Sequence, residues 1–249
     1  MTSTGARSAV VTGAASGIGR AVTERLVSDG YAVLAADLEP DPGSAGIPFV
    51  ADLATREGNR KTVEAALERF GRLDVVVANA GFQHVAPVAE FPEDKWDALL
   101  AVLLTSPFLL AKYSWEALKA GGQGRLIAVA SVHALVASPF KVGYVSAKHG
   151  VAGLVKTLAL EGATHGIAAV GVCPAFVRTP LVEGQIASQA EAHDMPQDRV
   201  LEEVILAPHA IKRLVEPDEV ADVVSMVAGG KGELFTGATL TMDMGWSAR

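Results

Sequence analysis

A tyrosine and a lysine stand four residues apart in the segment Tyr144-Val-Ser-Ala-Lys148. On an α-helix this spacing places both side chains on one face. A free tyrosine has a pKa of about 10, so it accepts a proton near neutrality only if that pKa falls to about 7. A neighbouring ammonium group favours the phenolate. The pair predicts an acid/base centre, and Ser131, which ends the preceding apolar run, is expected to hydrogen-bond the same substrate oxygen.

By itself a Tyr/Lys pair is most often an ordinary surface pair on a helix, but a glycine-rich turn favours the catalytic interpretation. Gly13, Gly17 and Gly19 join an apolar run to a segment of helical period. Glycine lets the backbone turn sharply and approach a pyrophosphate, whose charge then meets the free N–H groups of a helix N-terminus. The turn therefore predicts a dinucleotide site.

The cofactor is predicted from the end of the second apolar run. Asp37 lies 18 residues after Gly19, where a carboxylate accepts hydrogen bonds from the adenosine ribose hydroxyls. A 2'-phosphate would meet like charge there, and the next two residues, Leu38 and Glu39, supply no cation. We therefore expect NAD rather than NADP. A simple strand-end turn is the alternative interpretation of Asp37.

Elements that bring these residues together follow from the apolar pattern. Short apolar runs alternate with longer segments of helical period, which indicates βαβ units and a parallel sheet. We predict strands over 9–11, 32–36, 48–51, 73–77, 126–130, 169–173 and 239–242, and helices over 17–29, 56–70, 92–120, 143–165 and 217–227. The strands are apolar throughout, as expected when helices cover both faces. The predicted fold class is α/β, a doubly wound (Rossmann) seven-stranded parallel sheet in a single domain over 1–249.

The segment 182–212 differs from the rest because it is polar, highly charged and interrupted by Pro196 and Pro208. We predict a mobile helical flap over the site, with a surface excursion as an equally weighted alternative. Asp52 and Asn79 follow the third and fourth predicted strands, so we expect them at the rim of the cleft where doubly wound sheets bind ligands.

Composition excludes several classes of function. The 249-residue chain is 50% hydrophobic and carries a net charge of −7, the wrong sign for a nucleic-acid partner. The single cysteine, Cys173, excludes an internal disulfide and supports no metal site. The longest uncharged apolar stretch, 126–140, is too short for a bilayer of about 30 Å, and no signal region precedes the first strand. We predict a cytoplasmic protein with no membrane partner and no metal.

Five motifs occur in a jointly specific order: Thr12-Gly13-(x)3-Gly17-Ile18-Gly19, Asn79-Ala80-Gly81, Ser131, Tyr144-(x)3-Lys148 and Pro174-(x)4-Thr179. In this order the chain resembles the short-chain dehydrogenase/reductase family over nearly its whole length. The resemblance implies that Tyr144 is the acid/base, that Ser131 positions the reacting oxygen, and that Lys148 holds the nicotinamide ribose and lowers the tyrosine pKa. The predicted cofactor set is Gly13, Ser16, Gly17, Ile18, Gly19, Asp37, Asp52, Leu53, Asn79, Tyr144, Lys148, Pro174, Val177 and Thr179. Family members usually form tetramers, so we expect a homotetramer.

A finer resemblance, to bacterial D-3-hydroxybutyrate dehydrogenases, runs through segments that include Phe82-Gln-His-Val-Ala-Pro and Arg178-Thr-Pro-Leu-Val-Glu-Gly-Gln185. It implies that Gln83, His133, Lys141 and Gln185 hold a substrate carboxylate. Phe176 and Trp246 complete the predicted substrate set. A short hydroxy acid has little apolar surface, so its anion must be gripped by a cation and neutral donors. The predicted activity is NAD-dependent oxidation of D-3-hydroxybutyrate to acetoacetate.

Three departures from the family pattern keep alternatives open. Leu103 stands where the family has an asparagine that supports a proton-relaying water, Phe176 replaces a pocket tryptophan, and Met244 replaces a glycine. Phe176 favours a larger 3-ketoacyl compound or another secondary alcohol as substrate. Leu103 favours an NAD-binding sensor or scaffold with impaired turnover.

Overall fold

The computed structural model describes residues 5–248, in which the strands form a seven-stranded sheet. The strands are β1 (Ser8–Thr12), β2 (Ala32–Asp37), β3 (Ile47–Val50), β4 (Val75–Ala78), β5 (Arg125–Val129), β6 (Ala168–Pro174) and β7 (Thr239–Met242). Their order is β3-β2-β1-β4-β5-β6-β7, and every neighbouring pair is parallel. The predicted fold class is confirmed. The connections diverge between β1 and β4, and a crevice for ligands opens at the carboxyl ends of these strands.

Helices cover both faces of the sheet. They are α1 (Gly17–Ser28), α2 (Arg56–Phe70), α3 (Glu93–Leu100), α4 (Ser106–Gly121), α5 (Val142–Gly162), α6 (Pro180–Ala192), α7 (Gln197–Val200) and α8 (Pro217–Ala228). On one face Leu26 of α1 and Val224 of α8 join the core with β-strand valines. On the other, Val63 of α2 and Leu110 of α4 do the same. Burial on both faces explains why the strands are apolar throughout.

Local sequence signals set the ends of α2. The hydroxyl of Thr55 accepts a hydrogen bond from the Gly58 N–H, and Gly71 ends the helix at a φ of 71°. A threonine cap satisfies one of the free N–H groups of the first turn, and glycine adopts left-handed backbone without a Cβ clash. The predicted bounds of this helix are therefore met at both ends.

The helix predicted over 92–120 is interrupted. A π-helical turn, Ala101–Thr105, separates α3 from α4. A π turn adds one residue without changing the apolar character of the sequence, so periodicity does not reveal it. An 18-residue window within the combined stretch Glu93–Gly121 has a mean hydropathy of 1.4, so the stretch is long and apolar enough to cross a membrane by length and composition alone. Its residues Leu99, Leu103 and Leu110 are packed inside the fold, as in a core helix.

The segment predicted as a flap contains α6, α7 and a second π-helical turn, Leu201–Ile205. Val182, Val200 and Ile205 form a small core with Phe176, which lies just after β6. No helix covers 206–212 in the structure. The segment therefore has its own apolar contacts with the main body at Phe176.

Candidate active site

A cavity of about 390 Å³ lies at the carboxyl ends of the strands. Most of the predicted site residues line it: Gly13, Ser16, Gly17, Ile18, Asp37, Asp52, Leu53, Asn79, Gln83, Ser131, His133, Lys141, Tyr144, Lys148, Pro174, Phe176, Val177, Thr179 and Gln185. Two do not. Gly19 lies beneath the turn, and Trp246 forms a second layer behind Phe176.

The glycine-rich turn is shaped as a cradle. Gly13 has a φ of 65°, and a Cβ at this position would lie 2.8 Å from the Cα of Ala80. A Cβ at Gly19 would lie 2.0 Å from the carbonyl oxygen of Gly13, so the start of α1 packs directly under the turn. Ser16, at the N-cap of α1, makes no side-chain capping bond. The turn therefore presents free N–H groups to an anion.

The ends of β1 and β4 are joined through Asn79. Its amide Nδ2 donates to the carbonyl oxygen of Thr12 at 2.9 Å, and its backbone N–H donates to the Thr12 hydroxyl at 3.0 Å. These bonds fix Asn79 as a bridge beneath the cavity.

Asp37 ends β2 and faces the glycine-rich turn. Its carboxylate accepts a hydrogen bond from the Ala15 N–H at 3.0 Å, which leaves acceptor capacity directed at the cavity. The cations that line this cavity are Lys141 and Lys148. Acceptors for ribose hydroxyls are therefore present at this end, and among residues 5–248 no cavity-lining guanidinium or ammonium there matches a 2'-phosphate.

Tyr144 and Lys148 project from α5 into the same cavity, and the Lys148 Nζ lies 5.5 Å from the centroid of the Tyr144 ring. Lys148 is 5% exposed and donates to the Val129 carbonyl at 2.7 Å. Burial lowers the pKa of Lys148 to about 8. The side chain is thus mostly protonated at neutral pH, and the Val129 carbonyl holds it beside the phenol.

The predicted lowering of the tyrosine pKa is not met by the protein groups alone. Burial raises the pKa of Tyr144 to about 12, and the Ser131 hydroxyl, a hydrogen-bonding neighbour, offsets only part of that shift. Desolvation penalises the phenolate more than the neighbouring groups stabilise it. The sequence shows the lysine charge beside the phenol but not the burial of the phenol in the folded chain.

The predicted substrate end contains a buried cation. Lys141 is 2% exposed. Its Nζ lies 3.4 Å from Gln185 Oε1 and 4.6 Å from the centroid of the Phe176 ring. Among residues 5–248 no carboxylate lies within ion-pairing distance of it. Burial lowers the pKa of Lys141 to about 8. A buried ammonium without an anionic partner is costly, so this position suits an anionic ligand.

The other predicted substrate residues are placed differently. Gln83 lines the cavity while its Oε1 accepts from the His84 N–H at 3.0 Å. Trp246 stacks on Phe176, with ring centroids 5.8 Å apart. His133 is 3% exposed, and both of its ring nitrogens are hydrogen-bonded to serine hydroxyls. In this arrangement His133 has no free nitrogen for a substrate carboxylate.

The residues of the apolar wall of the cavity were not predicted from the sequence. These residues are Leu38, Ala51, Ala80, Gly81, Phe82, Val102, Val129, Ala130, Ala175, Pro180, Leu181 and Val182. Their types carry no chemical signal, although several adjoin predicted residues at strand ends. Leu103 also lines the cavity, 1% exposed, and a Cβ at Gly81 would lie 2.6 Å from its Cδ2.

Comparisons with known proteins agree with this geometry. Residues 7–190 match the family model for short chain dehydrogenases. An uncharacterised oxidoreductase of Bacillus subtilis is 39% identical over 97% of this chain and 98% of its own. A D-beta-hydroxybutyrate dehydrogenase of Rhizobium meliloti is 36% identical over 98% and 99%, and one of Cupriavidus necator is 35% identical over 98% of both chains. The solved aldohexose dehydrogenase of Thermoplasma acidophilum superposes with a TM-score of 0.90 at 27% identity, over 98% of this chain and 95% of that one.

Proposed function

This chain belongs to the short-chain dehydrogenase family, and from that premise we propose that it oxidises D-3-hydroxybutyrate to acetoacetate with NAD. The choice of substrate rests mainly on Lys141. This buried ammonium faces the same cavity as Tyr144 and has no carboxylate partner among the described residues. A carboxylate there would complete an ion pair and also accept from the amide of Gln185. The relatives named as D-beta-hydroxybutyrate dehydrogenases support the same assignment.

The residues at the other end of the cavity fit NAD. The cradle at Gly13 and Gly17 would hold the pyrophosphate, because both glycines have a positive φ that turns the backbone sharply before the start of α1. Asp37 would accept from the adenosine ribose, and Lys148 would bond the nicotinamide ribose. When bound, NAD supplies the hydride acceptor and a positive charge that favours the tyrosine phenolate.

The protein groups then divide the chemistry among them. Lys141 and Gln185 orient the acid by its carboxylate, and the Ser131 hydroxyl orients the reacting oxygen. Tyr144 takes the hydroxyl proton. At pH 8 its pKa of about 12 corresponds to about 5 kcal/mol against the phenolate, which the positive charge of bound NAD must offset.

The test compares D-3-hydroxybutyrate with its uncharged methyl ester in the presence of NAD. The acid has the higher kcat/KM, and the Lys141→Ala variant narrows the difference because the cation that distinguishes the two compounds is gone. Equal kcat/KM for acid and ester in the wild type would contradict an anionic substrate.

A second substrate class is favoured by the space beside the site. A smaller cavity of about 270 Å³ adjoins the first, and both are lined by Gln83 and Gln185. A longer 3-ketoacyl compound or a bulkier secondary alcohol would extend into it. Turnover of such a compound that is unaffected by Lys141→Ala would favour this alternative.

We further propose that the protein is a cytoplasmic homotetramer that binds neither nucleic acid nor membrane. The net charge of −7 supports the absence of a nucleic-acid partner. Phe108 on α4 and Leu160 on α5 are exposed apolar side chains that suit a subunit interface. Light scattering after size-exclusion chromatography measures the assembly, and a monomeric mass would contradict this proposal.

A further inference from the structure

His133 lies between the reacting centre and the protein surface, and hydrogen bonds connect it in both directions. Its Nδ1 is 3.3 Å from the Ser131 hydroxyl, and its Nε2 is 3.0 Å from the Ser138 hydroxyl. Ser131 and His133 are buried, whereas Ser138 is partly exposed. The three side chains therefore form a continuous path from the cavity to solvent.

Packing holds the imidazole in this path. The ring makes edge contacts with Tyr144, Phe176 and Trp246, at centroid distances of 5.9, 6.3 and 5.2 Å. The His133 backbone N–H also donates to the Ser131 hydroxyl at 3.1 Å. Contacts on several sides leave the two nitrogens directed at the two serines.

The ring is also in the protonation state that a relay needs. Burial, and then the nearby Lys141 and His149, lower the pKa of His133 to about 3. A neutral imidazole carries one N–H and one bare nitrogen, so it accepts a proton on one side and releases one on the other.

On the other side of Tyr144 the surroundings are apolar. Leu99, Leu103 and Ala147 are buried there in one cluster with the tyrosine ring. Leu103 places a hydrocarbon side chain where a polar one would be needed to pass a proton on. A proton on the phenol can therefore pass to the Ser131 hydroxyl. From there the hydrogen bonds through His133 to Ser138 continue to the surface.

We propose that Ser131, His133 and Ser138 carry the proton taken up by Tyr144 out to solvent, an inference that rests on the proposed oxidation. The Tyr144 O–H bond breaks as its proton passes to the Ser131 oxygen, and the Ser131 proton passes to Nδ1. The Nε2 proton passes to the Ser138 oxygen, and the Ser138 proton passes to water. One proton enters the path, one leaves it, and the phenolate is regenerated without any transfer of electrons. After product release, Nδ1 gives its proton through Ser131 to water that enters the cavity, and Nε2 takes up a proton from solvent through Ser138, which restores the starting tautomer.

The experiment removes the outermost hydroxyl, which touches neither substrate nor cofactor in this scheme. With D-3-hydroxybutyrate and NAD, Ser138→Ala lowers kcat about tenfold with little change in KM, because proton release becomes limiting. The solvent isotope effect on kcat rises and the isotope effect of substrate deuterated at C3 falls, a combination that a distorted active site does not give. Added imidazole buffer restores kcat, as does the Ser138→Thr variant, which keeps a hydroxyl. Ser28→Ala, at an exposed serine that ends α1, is the matched control and leaves kcat unchanged.

If the wild type oxidises 3-hydroxybutyrate, two outcomes contradict the relay without contradicting the proposed function. They are a Ser138→Ala variant with wild-type kcat, and a slow variant that imidazole does not accelerate. Absence of NADH formation by the wild type overturns the proposed function instead. In that case the relay is tested separately, by ¹⁵N NMR of the His133 ring at pH 6. The His133 resonances are assigned by comparison with the His133→Gln variant. A neutral ring whose nitrogen shifts change in Ser138→Ala supports the relay, and an imidazolium overturns it.

Discussion

At the residue scale, spacing predicted which side chains meet but not their ionisation. The i, i+4 spacing of Tyr144 and Lys148 predicted their juxtaposition, and the structure places the Lys148 Nζ 5.5 Å from the tyrosine ring centroid. Burial is a property of the folded chain, and it moves the tyrosine pKa upward to about 12. The same reasoning missed that serine hydroxyls occupy both ring nitrogens of His133, because Ser138 has no signal of its own in the sequence.

Truncating Lys141 tests the anion site. We expect Lys141→Ala to reduce kcat/KM for 3-hydroxybutyrate by an amount equivalent to about 2 to 5 kcal/mol, mainly through KM, because the carboxylate loses its cation. Lys112→Ala, at an exposed lysine of α4, is the matched control. Equal kcat/KM in the wild type and in Lys141→Ala would contradict binding of the substrate carboxylate at this position.

The pH dependence of KM tests the same group. Burial lowers the pKa of Lys141 to about 8. A lysine is charged below its pKa and neutral above it, so the affinity for an anion falls as the pH rises through this value. We expect the KM for 3-hydroxybutyrate to rise between pH 7 and pH 9 in the wild type and to stay flat in Lys141→Ala. A KM that falls over this interval would contradict the assignment.

Leu103 tests whether wild-type turnover is impaired. If protons leave through Ser131 and His133, a polar side chain at position 103 adds no needed route, and we expect Leu103→Asn to leave kcat unchanged or lower it. Burying an amide there without partners also costs about 1 to 3 kcal/mol of stability. Steady-state kinetics and the Tm measure both effects. A large gain in kcat would instead favour the sensor or scaffold interpretation.

At the scale of elements, a turn whose backbone conformation requires glycine could be predicted from the sequence. A π-helical turn inserted between two helices could not. Gly13 follows β1 with a φ of 65°, a conformation that its residue type signals in advance. The π turn Ala101–Thr105 has no such signal, since its residues are as apolar as the helices around it. Met244 also lies at positive φ, of 53°, a conformation that its residue type does not signal.

Substituting Gly13 tests the cradle. We expect Gly13→Ala to weaken NAD binding about tenfold or more, since positive φ costs a residue with a Cβ roughly 1 to 2 kcal/mol and the added carbon meets Ala80. Gly153→Ala is the matched control, because Gly153 is an exposed position of α5 with nothing within 4 Å of an added Cβ. The control retains NAD affinity and gains about 0.5 to 1 kcal/mol of stability. Calorimetric titration with NAD measures the affinities, and equal values for all three proteins would contradict the cradle.

At the scale of the whole molecule, the alternation of strands and helices was sufficient to predict the doubly wound sheet. Each apolar run became one strand because a parallel sheet buries both faces, and the crossovers left few alternative orders. The second layer behind the cavity was not predictable. Trp246, near the end of the chain, stacks on Phe176 and touches His133, contacts that join segments distant in sequence.

The account as a whole depends on Tyr144 taking a proton from a 3-hydroxy acid in the presence of NAD. The most direct measurement is NADH absorbance after purified protein is mixed with NAD and racemic 3-hydroxybutyrate, beside the Tyr144→Phe variant. We predict NADH formation that stops at half of the racemate, with at least about 100-fold less activity in the variant. Equal rates in the two proteins, or no NADH from either, would contradict the account.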